Sequence, residues 1–592
     1  MKRTIIFLTV LLCLGPLGFA IPARPGKITA QQPDGSSIEI LRHGDEWGHW
    51  ITDASGNVLK LDTDGFYRAA IGESASSASA AASRRRSQKI SSRRLSPQAA
   101  PVAIGKKRFL VILVQFSDLS FNQNSPKAAF DALLNKQGYS EGGGTGSARD
   151  FYFDNSHGIF EPVFDVYGPV TLENNKAYYG ANDSQGYDKA AEKAVLDACV
   201  ALRDEIDFSN YDNDGDGYVD LVFMYYAGYG EADSSDSDAI WPHQWELSSA
   251  GLSFSDDGVK VDSYACSNEI VGYGSRKGQL VGIGAACHEF GHAIGLPDFY
   301  DVDYETNGMS GGLFSFSTMD GGCYNNESRT PPYFNIEERI LLGWLDGSAL
   351  LDFTPGTVTI PSVHGNIAYK TPTDMDGEYF VYECRNSEGW DKYLPAHGLI
   401  VYHVDKSERK VKISDGTFSA KNLWDNWRTY NSINENGSHP CFYIVPSGAQ
   451  DNLKFGYTGY HYDTSCDPRI PFPGKDEVST YCPISWNGVK GTTTLSDIRY
   501  SQQSVTLKVE MPSADLSYPL ISNPGNGTYS GGQTFTLALE GTDADKYDVT
   551  WYFDDVAVSG TSLSLTPGEH TIEAVLGRGS KRKVLTLEIT VK

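Results

Sequence analysis

The stretch His288-Glu289-Phe290-Gly291-His292-Ala293-Ile294-Gly295-Leu296-Pro297-Asp298 constrains this chain more than any other part of it. Two histidines four residues apart on a helix project from one face, a single turn apart. Imidazoles so placed can share a zinc ion, and Glu289 sits beside them as a general base toward water. Gly295 tolerates positive φ and lets the chain leave the helix sharply. That turn would return Asp298 as a third ligand and leave a fourth position open to water or substrate. The plain alternative is an amphipathic helix with two satisfied histidines. With only 12 histidines in 592 residues, an HExxH with Gly and Asp at these offsets is a rare accident.

A chain of 592 residues is too long for one core, so three or four domains are expected. Residues 1–20 read as a secretory signal peptide: Lys2 and Arg3, an apolar run from Ile5 to Leu14, then small residues at Gly18 and Ala20. That run is too short to cross a bilayer, and no later segment offers a span. Residues 21–72 form a small β unit punctuated by Asp34-Gly35, Ser55-Gly56-Asn57 and Asp64-Gly65. Residues 73–101 are rich in Ser, Ala and Arg, with Arg84-Arg85-Arg86 and Arg93-Arg94. Such a segment has no apolar periodicity and reads as a disordered basic linker open to proteolytic processing. Residues 21–72 are accordingly expected to be a cleavable prosegment. The prosegment contains no cysteine, so latency through a thiolate on the metal is excluded. A carboxylate such as Asp34, Asp45 or Asp64, or simple steric cover, remains.

Residues 102–345 mix strands and helices. Phe109 to Phe116 is a continuous apolar run suited to a strand buried on both faces. Tyr187 to Ile206 reads as a long helix, Asp220 to Ala227 as another core strand, and Gln279 to Ile294 as the helix bearing the motif. One α/β catalytic domain follows, a zincin by its HExxH helix. Residues 346–512 turn to short alternating strands and an all-β accessory domain. Residues 513–592 have the length, strand spacing and Trp551 of an immunoglobulin-like β-sandwich, without a cysteine pair.

Asp212-Asn213-Asp214-Gly215-Asp216-Gly217-Tyr218-Val219-Asp220 reads as a calcium loop shorter than an EF-hand. Calcium wants six to eight oxygens. Asp212, Asp214, Asp216 and Asp220 would supply carboxylates and Tyr218 a backbone carbonyl, since carboxylates this close repel without a cation. The formal net charge of −26 argues against nucleic acid and suits a soluble extracellular protein. After Cys13, eight cysteines remain, an even number compatible with disulfides. His397, His403 and Asp405 are a possible second metal site in the β domain, against the commoner reading of satisfied structural histidines.

Phe316-Ser317-Thr318-Met319-Asp320-Gly321-Gly322 places Met319 in a tight turn, as the Met-turn does beneath the zinc of metzincins. Gly321 stands where some metzincins carry a tyrosine, and Tyr324 is close by. Taken with QPDGSSIEI, GDEWGHW, KKRFLVILVQFSD, DNDGDGYVDLVFMYYAG, HEFGHAIGLPDFYD and GEYFVYECRN, the chain resembles secreted zinc metallopeptidases of the immune inhibitor A family across roughly Ile21 to Pro512. The resemblance implies His288, His292 and Asp298 as zinc ligands, Glu289 as catalytic base, and calcium in the Asp-rich loop. Asp301 and Asp303 also lie near the motif as alternative ligands. The expectation is a secreted zinc endopeptidase, made as a zymogen and monomeric. It would act on protein or peptide substrates, with accessory domains as candidate binders of substrate, glycan or cell surface. The runner-up is a glycan- or matrix-binding surface protein whose catalytic domain is secondary or inactive.

Overall fold

The computed structural model describes residues 19–46, 48–62, 64–81, 103–183, 187–302, 310–411, 421–428, 430–450, 452–458, 461–511, 518–541, 543–578 and 581–592. Of the expected signal peptide, only Phe19 and Ala20 fall within them, as a short strand β1. The expected prosegment follows as a five-stranded antiparallel sheet: β2 (Lys27–Gln31), β3 (Ser37–Asp45), β4 (Gly48–Thr52), β5 (Val58–Leu61) and β6 (Tyr67–Ala69). The segment read as a disordered linker begins with helical residues 75–81, where Ala75 and Ala78 pack against Trp50, Tyr300 and Val302. Residues 82–102, with both arginine runs, lie outside the described residues.

The next strands are β7 (Gly105–Gln115), β8 (Phe160–Thr171), β9 (Tyr218–Val219), β10 (Val222–Tyr229), β11 (His243–Glu246), β12 (Phe254–Asp256), β13 (Val259–Val261) and β14 (Ser263–Ile270). A six-stranded sheet runs in the order β1-β11-β14-β10-β7-β8. Strands β14, β10, β7 and β8 are mutually parallel, whereas β11 is antiparallel to β14 and carries β1 on its free edge. The apolar run of β7 explains its central place. Side chains alternate across a sheet, and Phe109, Val111 and Leu113 enter one core while Leu110, Ile112 and Val114 enter another.

The motif helix spans Gly284–Ala293 and buries Ala286, Cys287 and Phe290 in the first of these cores. Phe290 meets Phe109 edge-on at 4.6 Å between centroids, and Tyr152 at 5.0 Å. Burying such a ring contributes about 2–3 kcal/mol, and the opposite face of the helix is thereby turned to the metal motif. The helix starts five residues later than Gln279, because Gln279 and Val281 hydrogen-bond with Val271 and Glu269 at the end of β14 instead. The helix expected over Tyr187–Ile206 is confined to Ala191–Ala201: the Lys189 and Ala190 N–H groups donate to Ala181 and Tyr179.

After residue 346 the chain builds one core of its own, around Phe353, Ile360, Phe380, Val401 and Leu507, and also shares the core of the preceding region. A five-stranded sheet of Leu350–Asp352, Ala368–Pro372, Glu378–Arg385, Gly398–Asp405 and Phe442–Ile444 contributes Val381, Ile400, Tyr402, Val404 and Phe442 to the same cluster that holds Phe290 and Met319. Buried Arg385 in this sheet pairs with Asp391 and donates to the carbonyls of Phe316 and Tyr333 in the preceding region. The last 75 or so residues gather Ile572, Ala574, Leu587 and Ile589 around Trp551 and join the rest through Tyr552, whose hydroxyl donates to Asp374 at 2.9 Å. All eight cysteines of the described residues are free. No helix among those residues is long and apolar enough to cross a membrane.

Candidate active site

The motif helix ends in a Schellman turn. Gly295 has φ +108°, its N–H donates to His292, and the Leu296 N–H donates to Gly291. This turn delivers the Leu296 carbonyl to Nδ1 of His292 at 2.8 Å. Nδ1 of His288 meets the Thr318 carbonyl at the same distance. A carbonyl can only accept, so each Nδ1 carries the proton and each Nε2 presents a lone pair.

Those lone pairs converge. The two Nε2 atoms are 3.0 Å apart, and Oδ1 of Asp298 lies 3.2 Å from His288 Nε2 and 3.3 Å from His292 Nε2. Tetrahedral zinc with ligands at about 2.0–2.1 Å requires ligand–ligand edges of about 3.3 Å. The triangle is that of a three-ligand site, and all three side chains are buried. Burial works to raise the Asp298 carboxyl, but the neighbouring imidazoles outweigh it and hold the group well below the usual carboxylate range. Burial lowers the His292 imidazole. Asp301 is not one of this group, and its Oδ2 accepts from the Ser310 N–H at 3.3 Å. Asp303 lies outside the described residues.

Glu289 is fully buried, and burial followed by the nearby Asp298 charge pushes its carboxyl well above the ordinary value. Its Oε1 accepts from the Ile21 backbone N–H at 2.8 Å. Beside it the chain from Phe19 to Arg24 is held by side chains of the cleft. The Trp241 indole N–H donates to Ile21 O at 3.1 Å, and the Tyr324 hydroxyl to Pro22 O at 2.8 Å. Strand β1 occupies the β11 edge, pairing Phe19 with Gln244 and Ala20 with His243.

Met319 lies beneath the helix. It is fully buried, and a Cβ built on Gly291 would fall 2.6 Å from its sulfur. The preceding Thr318 supplies the carbonyl on His288, and Met319 O accepts from the Phe299 N–H just past Asp298. The turn therefore braces His288 directly and Asp298 through its neighbour Phe299.

Of the prosegment carboxylates considered, Asp34 and Asp64 are exposed and bonded locally, to Ser36 and Arg68. Asp45 is buried. Its neighbour Glu46 is the acidic group that feels Asp298 and Glu289: burial, then the charges of Asp45, Asp298 and Glu289, push its carboxyl far up. Only its place beside Asp45 in GDEW signalled this.

In the Asp-rich loop, Asp212, Asp214 and Asp216 bring carboxylate oxygens within 4.8 Å of one another. Asp220 stands apart from this group and bonds the Asn213 backbone and side chain, with a carboxyl raised by burial to about 6. Tyr218 is half exposed, in the two-residue β9 beside β13. In the β region, both ring nitrogens of His403 are taken, by Tyr443 and Glu378, while Asp405 faces Arg409 and His439. His397 bonds the Asp391 carbonyl, so these three residues are not brought together as a metal site.

A family model described as the immune inhibitor A peptidase M6 catalytic domain matches residues 101–335. The chain is 25% identical over 273 residues to immune inhibitor A of Bacillus thuringiensis subsp. alesti, covering 40% of this chain and 39% of that protein. It is 26% identical over 261 residues to the pre-pro-metalloprotease PrtV of Vibrio cholerae serotype O1 (strain M66-2), covering 37% of this chain and 28% of that protein. The matched stretch thus spans well under half of either relative.

Proposed function

We propose that this chain, whose residues 101–335 form a metallopeptidase domain of the immune inhibitor A type, is a secreted zinc-dependent endopeptidase made as a zymogen. The observation that carries the reading is the triangle of His288 Nε2, His292 Nε2 and Asp298 Oδ1, with edges of 3.0 to 3.3 Å and Glu289 buried alongside. His288, His292 and Asp298 would hold the metal. Bound zinc would supply Lewis acidity, polarising a scissile carbonyl and easing loss of a proton from water. Glu289 takes that proton and passes it to the departing amine. The carbonyls of Thr318 and Leu296 keep both imidazoles in the tautomer that offers Nε2.

Phe19 and Ala20 on the β11 edge belong to the expected signal peptide and leave with it, freeing the place where an extended substrate would add as a strand. The zymogen reading is supported by the path of residues 21–24, which engage the catalytic base through Ile21. The groups that grip them, Trp241 and Tyr324, would then face substrate backbone once the prosegment is gone. Calcium at Asp212, Asp214 and Asp216 is proposed as structural, with the Tyr218 carbonyl and Asp220 completing the shell after a local rearrangement of Asp220. The fold is proposed as metzincin-like, on the grounds of the edge strand, the motif helix and the Met319 turn, and the last region as immunoglobulin-like.

Metal analysis and casein hydrolysis of Glu289→Gln test the central claim. The variant should retain one zinc and lose proteolysis; hydrolysis at the parent rate would sink the mechanism.

A further inference from the structure

We propose that Asn431, carried by the accessory β region, is the positioning residue that makes Asp298 present a single oxygen to the metal. The proposal rests on the metal reading of His288, His292 and Asp298 given above. The two side chains lie 133 residues apart and meet through two hydrogen bonds: the Asp298 N–H donates to Asn431 Oδ1 at 2.8 Å, and Asn431 Nδ2 donates to Asp298 Oδ2 at 2.7 Å. Both residues are 2% exposed. The carboxylate oxygens thus have separate duties. Oδ2 is held by the amide, and Oδ1 is left to face the two imidazoles.

An amide is the group this geometry needs. One side must accept from a backbone N–H and the other must donate to a carboxylate, and a primary amide offers an acceptor and a donor side by side, whatever the pH. His288 and His292 are oriented by backbone carbonyls, so Asn431 is the side chain that performs the same service for the third ligand. Its own position is fixed by its surroundings. Asn434 donates to the carbonyls of Phe299 and Phe442 and accepts from the Phe442 N–H. The Phe442 ring packs edge-on against Phe299, 5.0 Å between centroids. The segment from Asn431 to Asn434 therefore clamps Asp298 and Phe299 as a unit. Losing such an outer partner typically weakens metal binding about 10- to 100-fold.

The test uses the full chain, stripped of metal and titrated with Co2+ against a chromophoric chelator, with the visible cobalt spectrum recorded. Asn431→Ala removes both hydrogen bonds. Asn431→Asp keeps the shape and the acceptor for the Asp298 N–H but sets a carboxylate oxygen against Oδ2 in place of the donor, and a parental circular dichroism spectrum for each variant guards against one that fails to fold. Both are expected to bind Co2+ about 10- to 100-fold more weakly. They should also show weaker visible absorption, as the freed Oδ2 joins the metal and raises its coordination number. His292→Ala is the control for the site itself and should lose binding outright. If His292→Ala binds as the parent does, the metal reading fails. If His292→Ala loses the metal while both Asn431 variants keep parental affinity and spectrum, the role of Asn431 is overturned and the metal site stands.

Discussion

The Ile21 backbone N–H donates to Oε1 of Glu289 across 2.8 Å, so a residue of the expected prosegment sits on the proposed catalytic base. Freeing Glu289 requires that this segment leave. Limited trypsin digestion at the arginine runs Arg84-Arg85-Arg86 or Arg93-Arg94 should therefore raise casein hydrolysis, as the fragment ending there dissociates. Equal rates before digestion and after removal of the fragment would rule out latency by this contact.

In the processed protein, Glu289→Gln should reduce kcat by at least about 100-fold, the ordinary worth of a positioned general base. Zinc content, read by elemental analysis, should not change. A parallel loss of metal would mean that Glu289 acts in building the site and not in moving a proton.

Gly291→Ala places a methyl 2.6 Å from the Met319 sulfur, on the helix turn between the two histidines. Overpacking of this kind costs about 1–3 kcal/mol. Thermal unfolding should show that loss, and Met319→Leu, which conserves volume, should cost less than about 1.5 kcal/mol. A Gly291→Ala protein as stable as the parent would mean that Met319 has room to withdraw.

Calcium at the Asp-rich loop should raise the melting temperature. Saturation at 100 times Kd corresponds to about 2.7 kcal/mol. The double variant Asp214→Asn, Asp216→Asn should melt at one temperature with calcium or with EGTA, and a calcium shift that survives both substitutions would place the ion elsewhere.

His243 donates from Nδ1 to the Trp241 carbonyl and accepts at Nε2 from the Tyr264 hydroxyl; burial depresses its imidazole to about 4. The unfolded chain takes up this proton near pH 6.5 and the folded chain only near 4. The stability contributed is therefore complete above pH 6.5 and is lost as pH falls through that window. Denaturant titrations at pH 6.5 and pH 5 should show the parent losing about 2 kcal/mol more than His243→Gln. Parallel profiles would contradict the assignment.

The motif helix was legible because its logic is local. A spacing of four residues, a Gly three further on and an Asp three beyond that encode the helix, its cap and the return of Asp298 to the two histidines. The alternation within Phe109–Val114 was legible for the same reason, although a continuous apolar run does not say which two cores it divides. Helix starts were misread where β14 captured Gln279 to Val281, because a long-range backbone pairing leaves no mark on periodicity. Asn431 had no local signal at all: an asparagine in a loop is ordinary until the fold brings it to Asp298. Glu46 was passed over for Asp45, its neighbour in a hairpin, since sequence does not tell which of two adjacent acids comes near Asp298 and Glu289. The boundary drawn at 345 followed a real change in texture from helix and strand to strand alone. Packing crosses it on one face of the later sheet, where Val381, Tyr402 and Phe442 join the core of Phe109 and Phe290, while Phe380, Leu399 and Val401 belong to a core of later residues alone.

That shared core sets a timetable. A chain that emerges amino end first exposes its histidine motif well before the strands that finish the packing beneath it. With 133 residues separating Asp298 from Asn431, and chain growth at about 5–20 residues per second, the interval is on the order of ten seconds. During it the nascent polypeptide carries the letters of a cutting site without its architecture. Truncation, domain exchange or fusion at residue 345 would make that unfinished state permanent.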